Sequence, residues 1–169
     1  ILVEDEAEAV QVAKKYLSYF QGRVEQWESP DQRKLRHIVP ENRLRLYDMR
    51  EIIETIADID SVLEIRKDFG IGVITAFIRV EGKPMGVIAN NPHHIAGAID
   101  SDGADKGTRF IQLCDAFDIP VLSLMDCPGM MVGPDVERTA LVRHCVRMFN
   151  AGANLTTPLF GVVVRKAYG

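Results

Sequence analysis

Cysteine is scarce in this chain of 169 residues: Cys114, Cys127 and Cys145 stand far apart, and no C-x-x-C pair occurs. Three scattered thiols cannot build a disulfide framework, and an odd number without a staple pattern points to a reducing compartment. Long apolar runs are missing too. Lys, Arg, Asp or Glu interrupts each one before the ~18 residues that a membrane span needs. Positive charge is not in excess, with 20 Lys and Arg against 24 Asp and Glu. That balance argues against a nucleic-acid partner gripped through a basic face. The opening residues, Ile1-Leu2-Val3-Glu4-Asp5-Glu6, lack the basic region and apolar core of a signal peptide. The chain starts without Met and stops abruptly after a strand-like run, so we expect a piece of a longer protein. Asn154-Leu155-Thr156 is formally a glycosylation sequon; without a secretory context it reads as chance. What remains has the size and composition of one globular domain with a modest core.

The common catalytic signatures are absent as well. Gly70-Ile71-Gly72 lacks the third glycine of a dinucleotide fingerprint and precedes a strand. Ser123 lies inside an apolar run with no G-x-S-x-G around it, which disfavours a serine hydrolase. His93-His94 have no partner at ligand spacing and read as a solvated turn, not a metal site. Asp100 to Asp105 resemble a calcium loop only faintly. Ile111 stands where a bidentate Glu belongs, and the ordinary reading is a helix start capped by Asp102.

Hydrophobic periodicity supplies the elements. Residues 5–20 read as a helix capped by Asp5, with Val10, Ala13, Leu17 and Phe20 on its apolar stripe. Residues 21–45 carry Gly22, Pro30 and Pro40 among many charges and read as a linker, not a core segment. A helix over 48–58 starts with Asp48 and Glu51 at capping-box spacing and presents Ile52, Ile53 and Ile56. The period then falls to two. Residues 62–66, 71–80 and 84–90 read as strands, the last two joined by a short turn at Glu81-Gly82-Lys83. From residue 100 helix and strand alternate. A helix over 104–117 buries Phe110, Leu113, Cys114 and Phe117. A buried strand follows over 119–125. A helix over 134–150 has Pro134 at its first position and Leu141, Cys145, Met148 and Phe149 inward. A last buried strand runs over 159–164. Strand, helix and strand in that order make a right-handed βαβ crossover.

In open α/β sheets, ligands sit beyond the carboxyl ends of parallel strands. That rule singles out two stretches, Asp126-Cys127-Pro128-Gly129-Met130-Met131-Val132-Gly133 and Lys166-Ala167-Tyr168-Gly169. The first is Gly-rich and runs into a helix. Backbone N–H groups and a helix dipole there can hold an anion or a developing oxyanion; ordinary turns use the same residues. Cys127 has no fixed base nearby in sequence and reads as a small buried thiol rather than a nucleophile. Arg138, Arg143 and Arg147 fall on the outer side of their helix and read as a solvated face.

Several ordered pieces, over about residues 36–169, then carry a family with them. They are His37-Ile38-Val39-Pro40, Tyr47-Asp48-Met49-Arg50-Glu51, Gly86-Val87-Ile88-Ala89-Asn90-Asn91-Pro92, Asp105-Lys106-Gly107-Thr108-Arg109-Phe110, Leu113-Cys114-Asp115-Ala116-Phe117, Ile119-Pro120, Asp126-Cys127-Pro128-Gly129 and Val164-Arg165-Lys166-Ala167-Tyr168-Gly169. With these the chain resembles the carboxyltransferase subunits of biotin-dependent acyl-CoA carboxylases of the acetyl-/propionyl-CoA type. The match falls at the start of their C-terminal half-domain. The resemblance implies an α/β fold, a truncated crotonase-like ββα superhelix, with residues 1–45 as leading helix and linker and 46–169 as part of that half-domain.

It further implies transfer of CO₂ from carboxybiotin to the α-carbon of an acyl-CoA. No side chain is the principal catalyst in that chemistry; backbone amides hold the developing charges. Gly169 corresponds to the first glycine of the amide stretch that faces biotin. Asp126, Cys127, Pro128, Gly129, Met130 and Gly133, with Tyr168, correspond to the walls of the biotin pocket. Met130 stands where Phe is usual, Cys127 where Val is common and Gly107 where Ala is frequent, which bears on acyl preference. The implied cofactors are biotin on a carrier domain and a CoA thioester substrate, with no metal in this domain. The implied partners are the N-terminal carboxyltransferase half, the biotin carboxyl carrier and biotin carboxylase, fused or separate, in a homo-oligomer without a membrane span or nucleic acid. Contact of the three arginines with CoA phosphates or another subunit is the alternative to a solvated face. The implied location is the cytoplasm, or the mitochondrial matrix in a eukaryote. A residue set cut at Gly169 is expected to be inactive alone and to expose apolar surface. A biotin-dependent decarboxylase and a degenerate, non-catalytic assembly module remain as alternatives.

Overall fold

A computed structural model describes residues 1–168. Helix α1 (Glu6–Ser18) is capped by the Asp5 side chain, which accepts from Glu8 N–H, and runs into a 3-10 turn at Tyr19–Gln21. A short α2 (Leu35–Ile38) and α3 (Met49–Ile56) follow. The strands are β1 (Leu63–Ile65), β2 (Val73–Val80), β3 (Lys83–Asn90), β4 (Val121–Cys127) and β5 (Leu159–Ala167). Helix α4 (Ser101–Ala116) connects β3 to β4, and α5 (Pro134–Glu137) with α6 (Leu141–Ala153) connects β4 to β5. The five strands form one sheet in sequence order. β1, β2 and β3 pair antiparallel, whereas β3, β4 and β5 are parallel neighbours.

The β2–β3 register pairs Val80 with Lys83, leaving a two-residue turn. Glu81 and Gly82 both have positive φ, 51° and 76°, the mirror-image turn whose twist suits a hairpin. Glycine is required at the second position because a Cβ there would collide with the Val24 carbonyl.

Alternation along the strands sends side chains to two cores. On one face Ile74, Ile78, Val87, Ala89, Leu122 and Leu124 meet Met49, Ile52 and Ile53 of α3. On the other face Phe77 and Val121 meet Tyr19, Phe110 and Cys114 from α1's end and α4. The result is three layers. Phe77 is the centre of the second core: Tyr19 stacks on it at 5.4 Å and Phe110 tilts against it at 5.2 Å.

Several expectations need correction. The inward stripe of α1 is Val12, Tyr16 and Tyr19, not Val10, Ala13 and Leu17. Val10 and Leu17 are exposed. Aromatic volume decided the helix's rotation, since Tyr16, Tyr19 and Phe20 all reach Phe77. Residues 21–45 are not wholly detached, because Leu35, Ile38 and Val39 pack against the α3 side of the core. Asp48 caps α3 through Arg50 N–H, one residue short of the box expected with Glu51. Asp100, not Asp102, caps α4, accepting from Gly103 N–H at 2.7 Å.

The helix expected over 134–150 is broken. Ala140 adopts a left-handed conformation (φ 56°), so α5 is a single turn and α6 starts afresh at Leu141. Phe149 points outward, and Phe117 beyond α4 is also exposed. β5 is not buried: Leu159, Phe160, Val162 and Val163 are about half exposed. An unbroken apolar run fits an edge strand with open faces as well as a central one. The expected exposed apolar surface is found here.

Arg79 fastens the N-terminal helix to the sheet. Its buried guanidinium donates to the carbonyls of Ser18 (2.7 Å), Gly82 (2.8 Å) and Gly22 (2.9 Å) and lies over the Tyr19 ring. Arg79→Met leaves those carbonyls without a donor. We expect a loss of about 2–4 kcal/mol in chemical denaturation, with earlier proteolysis around residues 19–27.

Candidate functional site

Three parallel strands bring their carboxyl ends to one edge of the sheet, at Asn90, Cys127 and Ala167-Tyr168. A cavity of about 270 Å³ opens there, with Ile88, Ile99, Met125, Cys127 and Met148 among its walls and Tyr168 among its lining. Tyr168 is 65% exposed, while its backbone N–H is fixed on the Cys127 carbonyl at 3.0 Å. The walls are mainly apolar; Asn90 and Ser123 are the polar exceptions. Asn90 is already committed: its Nδ2 donates to the Gly97 carbonyl at 3.0 Å and its Oδ1 accepts from Asp126 N–H at 3.3 Å. It thereby holds the 3-10 turn Ile95–Gly97 against β4. Gly97 has a φ of 84°, and a Cβ there would collide with the Asp126 carbonyl.

Beneath this edge lies a charge network. Asp126 is fully buried. Its Oδ2 accepts from the Tyr47 hydroxyl at 2.7 Å and forms an ion pair with Arg165, whose Nη2 lies 3.0 Å away; Lys166 Nζ stands 3.8 Å from Oδ1. The Arg165 guanidinium lies over the Tyr47 ring at 5.0 Å and also donates to the Arg45 carbonyl at 2.9 Å. Burial, then the hydrogen bond and charge of Asp126, push the Tyr47 hydroxyl well above the usual phenol range. Tyr47 therefore stays a neutral donor at physiological pH. One carboxylate thus joins the segment before α3, the end of β4 and the end of β5.

The expected site residues separate into groups. Cys127 and Tyr168 line the cavity. Asp126 is next to last in β4 and turns its carboxylate to the network. Gly129 and Gly133 carry φ values of 118° and 128° and shape the loop that Pro128 opens. The Gly129 N–H donates to Cys127 Sγ at 3.2 Å, so the thiol is engaged in the turn. Met130 pairs with Ile99 in an isolated bridge and packs in a third small core with Leu141 and Cys145. Gly169 lies outside the described residues. The helix dipole expected at Gly133 is weak, because α5 has four residues and its turn carries Asp135 and Glu137, which repel an anion. Arg138 is exposed and pairs with Asp135. Arg147 instead approaches Asp105 at 3.6 Å, in a polar groove between α4 and α6 that also holds Arg109 and Asn150.

The remaining thiols are inert. Burial pushes Cys114 up to about 12 and raises Cys145. Among the described residues no three His, Cys, Asp or Glu side chains converge. The arrangement can hold an apolar ring or chain at a sheet edge. Sequence reasoning missed the Tyr47–Asp126–Arg165 network; an acidic residue ending an apolar strand, with Arg-Lys ending the next, was its signal.

The carboxyl transferase domain model matches residues 1–169. The propionyl-CoA carboxylase beta chain of Cereibacter sphaeroides is 43% identical over 132 residues, covering 78% of this chain and 26% of that protein. A single-chain, multi-domain long-chain acyl-CoA carboxylase superposes with a TM-score of 0.94 at 56% identity, over 95% of this chain and 17% of that one. The transcarboxylase 12S subunit, described as a hexamer, superposes with a TM-score of 0.89 at 35% identity, over 99% and 34%. The chain spans about a third or less of the length of the curated relatives it matches.

Two substitutions probe the network by denaturant unfolding. Arg165→Met leaves the buried Asp126 carboxylate without its nearest positive charge, and we expect a loss of about 3–5 kcal/mol. Tyr47→Phe removes one neutral donor and is expected to cost about 1–2 kcal/mol.

Proposed function

Because this chain belongs to the carboxyl transferase domain family and has its crotonase-like α/β fold, we propose that it supplies the biotin side of the active site of a biotin-dependent acyl-CoA carboxylase. The observation that carries this reading is the apolar cavity at the carboxyl ends of β3, β4 and β5, with Tyr168 among its lining. Its walls suit the ring of biotin: no Asp, Glu, Lys, Arg or His among the described residues lines it, and with Asn90 holding the rim, Ser123 is the polar side chain that can meet a ureido group. Carboxybiotin, when bound, supplies the CO₂ and the ureido nitrogen that takes the α-proton of the acyl-CoA.

The chain's own residues do the positioning. Cys127, Met125 and Met148 exclude water from one side of the ring, while Gly129, Met130 and Gly133 shape the adjoining loop. The Asp126–Arg165 pair fixes the end of β5 as far as Tyr168, and Gly169, next in sequence, is the proposed start of the amide stretch that meets the ureido oxygen. Rigid donors aimed where charge develops are the strongest single device for such a step. Residues 46–169 form part of the C-terminal half-domain in this reading, preceded by the leading segment 1–45. The acyl-CoA comes from an N-terminal half on a neighbouring subunit, within a cytoplasmic homo-oligomer served by a biotin carrier and a biotin carboxylase.

A second reading concerns the acyl group. The 56% identity to a long-chain acyl-CoA carboxylase favours a chain longer than acetyl or propionyl.

The test uses the intact protein with free biotin and, separately, malonyl-CoA, methylmalonyl-CoA and a long-chain 2-carboxyacyl-CoA. We expect biotin-dependent loss of the carboxyl group, fastest with the long chain under the second reading. No turnover with any of them, in a protein that still binds CoA esters, would favour the non-catalytic module. Met148→Trp fills the cavity and should raise the KM for biotin at least ~10-fold with little change in the KM for the CoA ester. Gly107→Ala acts more weakly in the same direction, since its Cβ would press on Ile88 Cδ1 (3.0 Å) and Met148 Sδ (3.1 Å). A rise in the CoA ester's KM alone would contradict the assignment.

A further inference from the structure

Lys106 is 1% exposed, and its Nζ has no hydrogen-bond partner among the described residues. It projects from α4 beside a cavity of about 30 Å³ whose rim includes Arg66 and Arg109, with Thr75 on the wall. A buried ammonium is normally paired, because removing it from water without a counter-charge is costly.

The charged groups around it do not supply one. Glu64 is committed to Arg50, which grips both its oxygens at 2.7 and 2.8 Å. Asp68 is exposed. On α4 itself, the nearby Asp105 faces His144 and Arg147 on the other side. Thr75 spends its hydroxyl proton on the Ile65 carbonyl at 2.9 Å. Burial lowers Lys106 to about 8, the charges of Arg50 and Arg66 acting in the same direction as burial, against Glu64 and Asp68. At neutral pH the amine is therefore still mostly protonated, and the site around it carries surplus positive charge. The cavity is large enough for a single water or halide, and only an anion answers the charge.

We propose that the cavity bounded by Lys106, Arg66 and Arg109 binds one chloride-sized monovalent anion. The anion completes the packing of α4 on β1 and β2; Arg109 lies between this cavity and the Asp105 groove. It is independent of the biotin reading, since none of these residues lines that cavity.

The experiment uses the intact protein and follows thermal unfolding at neutral pH while chloride replaces gluconate at constant ionic strength. Gluconate is too large for the cavity. Wild type should gain about 3 °C or more, saturably, and the gain should fade as pH rises through about 8. Lys106→Met, similar in volume and uncharged, should lose the chloride response and melt above wild type in gluconate. If it does not fold, Lys106→Gln serves, with the same loss of response expected. Bromide soaked into crystals of the wild-type protein should give an anomalous peak at hydrogen-bonding distance from Nζ. A melting temperature indifferent to chloride, a Lys106→Met variant that keeps the response, or a water with no bromide at Nζ would overturn the proposal.

Discussion

A single buried carboxylate holds the functional edge of this molecule together. Asp126 sits at the end of β4 with no exposure and binds groups from two distant segments, Tyr47 before α3 and Arg165 near the end of β5. Buried ion pairs rarely add much net stability, but breaking one is expensive. This pair therefore acts as a constraint on geometry. It sets how far β5 extends past β4, and so where Tyr168 stands. Asn90 does the same for the opposite wall, tying the Gly97 turn to the backbone of Asp126. Polar bonds to groups within the chain hold the rim of the cavity on both sides.

That arrangement suits a reaction with little side-chain chemistry. A surface that must position a ring and offer backbone amides needs precise strand ends more than reactive groups. The buried thiols, the neutral Tyr47 and the engaged amide of Asn90 fit such a role. The half-exposed β5 fits it too, since a strand that carries the site at its end also offers an open edge and faces for neighbouring protein.

Much of this was legible in the sequence. Period-two runs located β2 and β3, and the Gly-containing turn between them fixed the hairpin. The rule that ligands gather at carboxyl ends of parallel strands led to residues 126–133 and 166–169, of which Cys127 and Tyr168 line the cavity. Burial was harder to read. Leu159 to Val164 looks like a core strand because apolarity reports the wish to be covered, not whether a neighbour in this chain does so. The break at Ala140 left no trace because Ala is at home in helices, and only the packing of Leu141 and Cys145 into their own small core required a restart. Rotation of α1 was set by three aromatic rings converging on Phe77, a long-range preference invisible to a helical stripe of Val10, Ala13 and Leu17. The Asp126 network joins residues 79 and 39 positions apart in the chain, beyond any spacing rule.

The central claim, that biotin's ring lies in the cavity bounded by Cys127, Met148 and Tyr168, is tested most directly by a crystal structure of the intact protein with free biotin. The account predicts the bicyclic ring between these side chains, with its ureido oxygen on backbone amides following Tyr168. A ring bound elsewhere, with this cavity filled by another part of the protein, would contradict it.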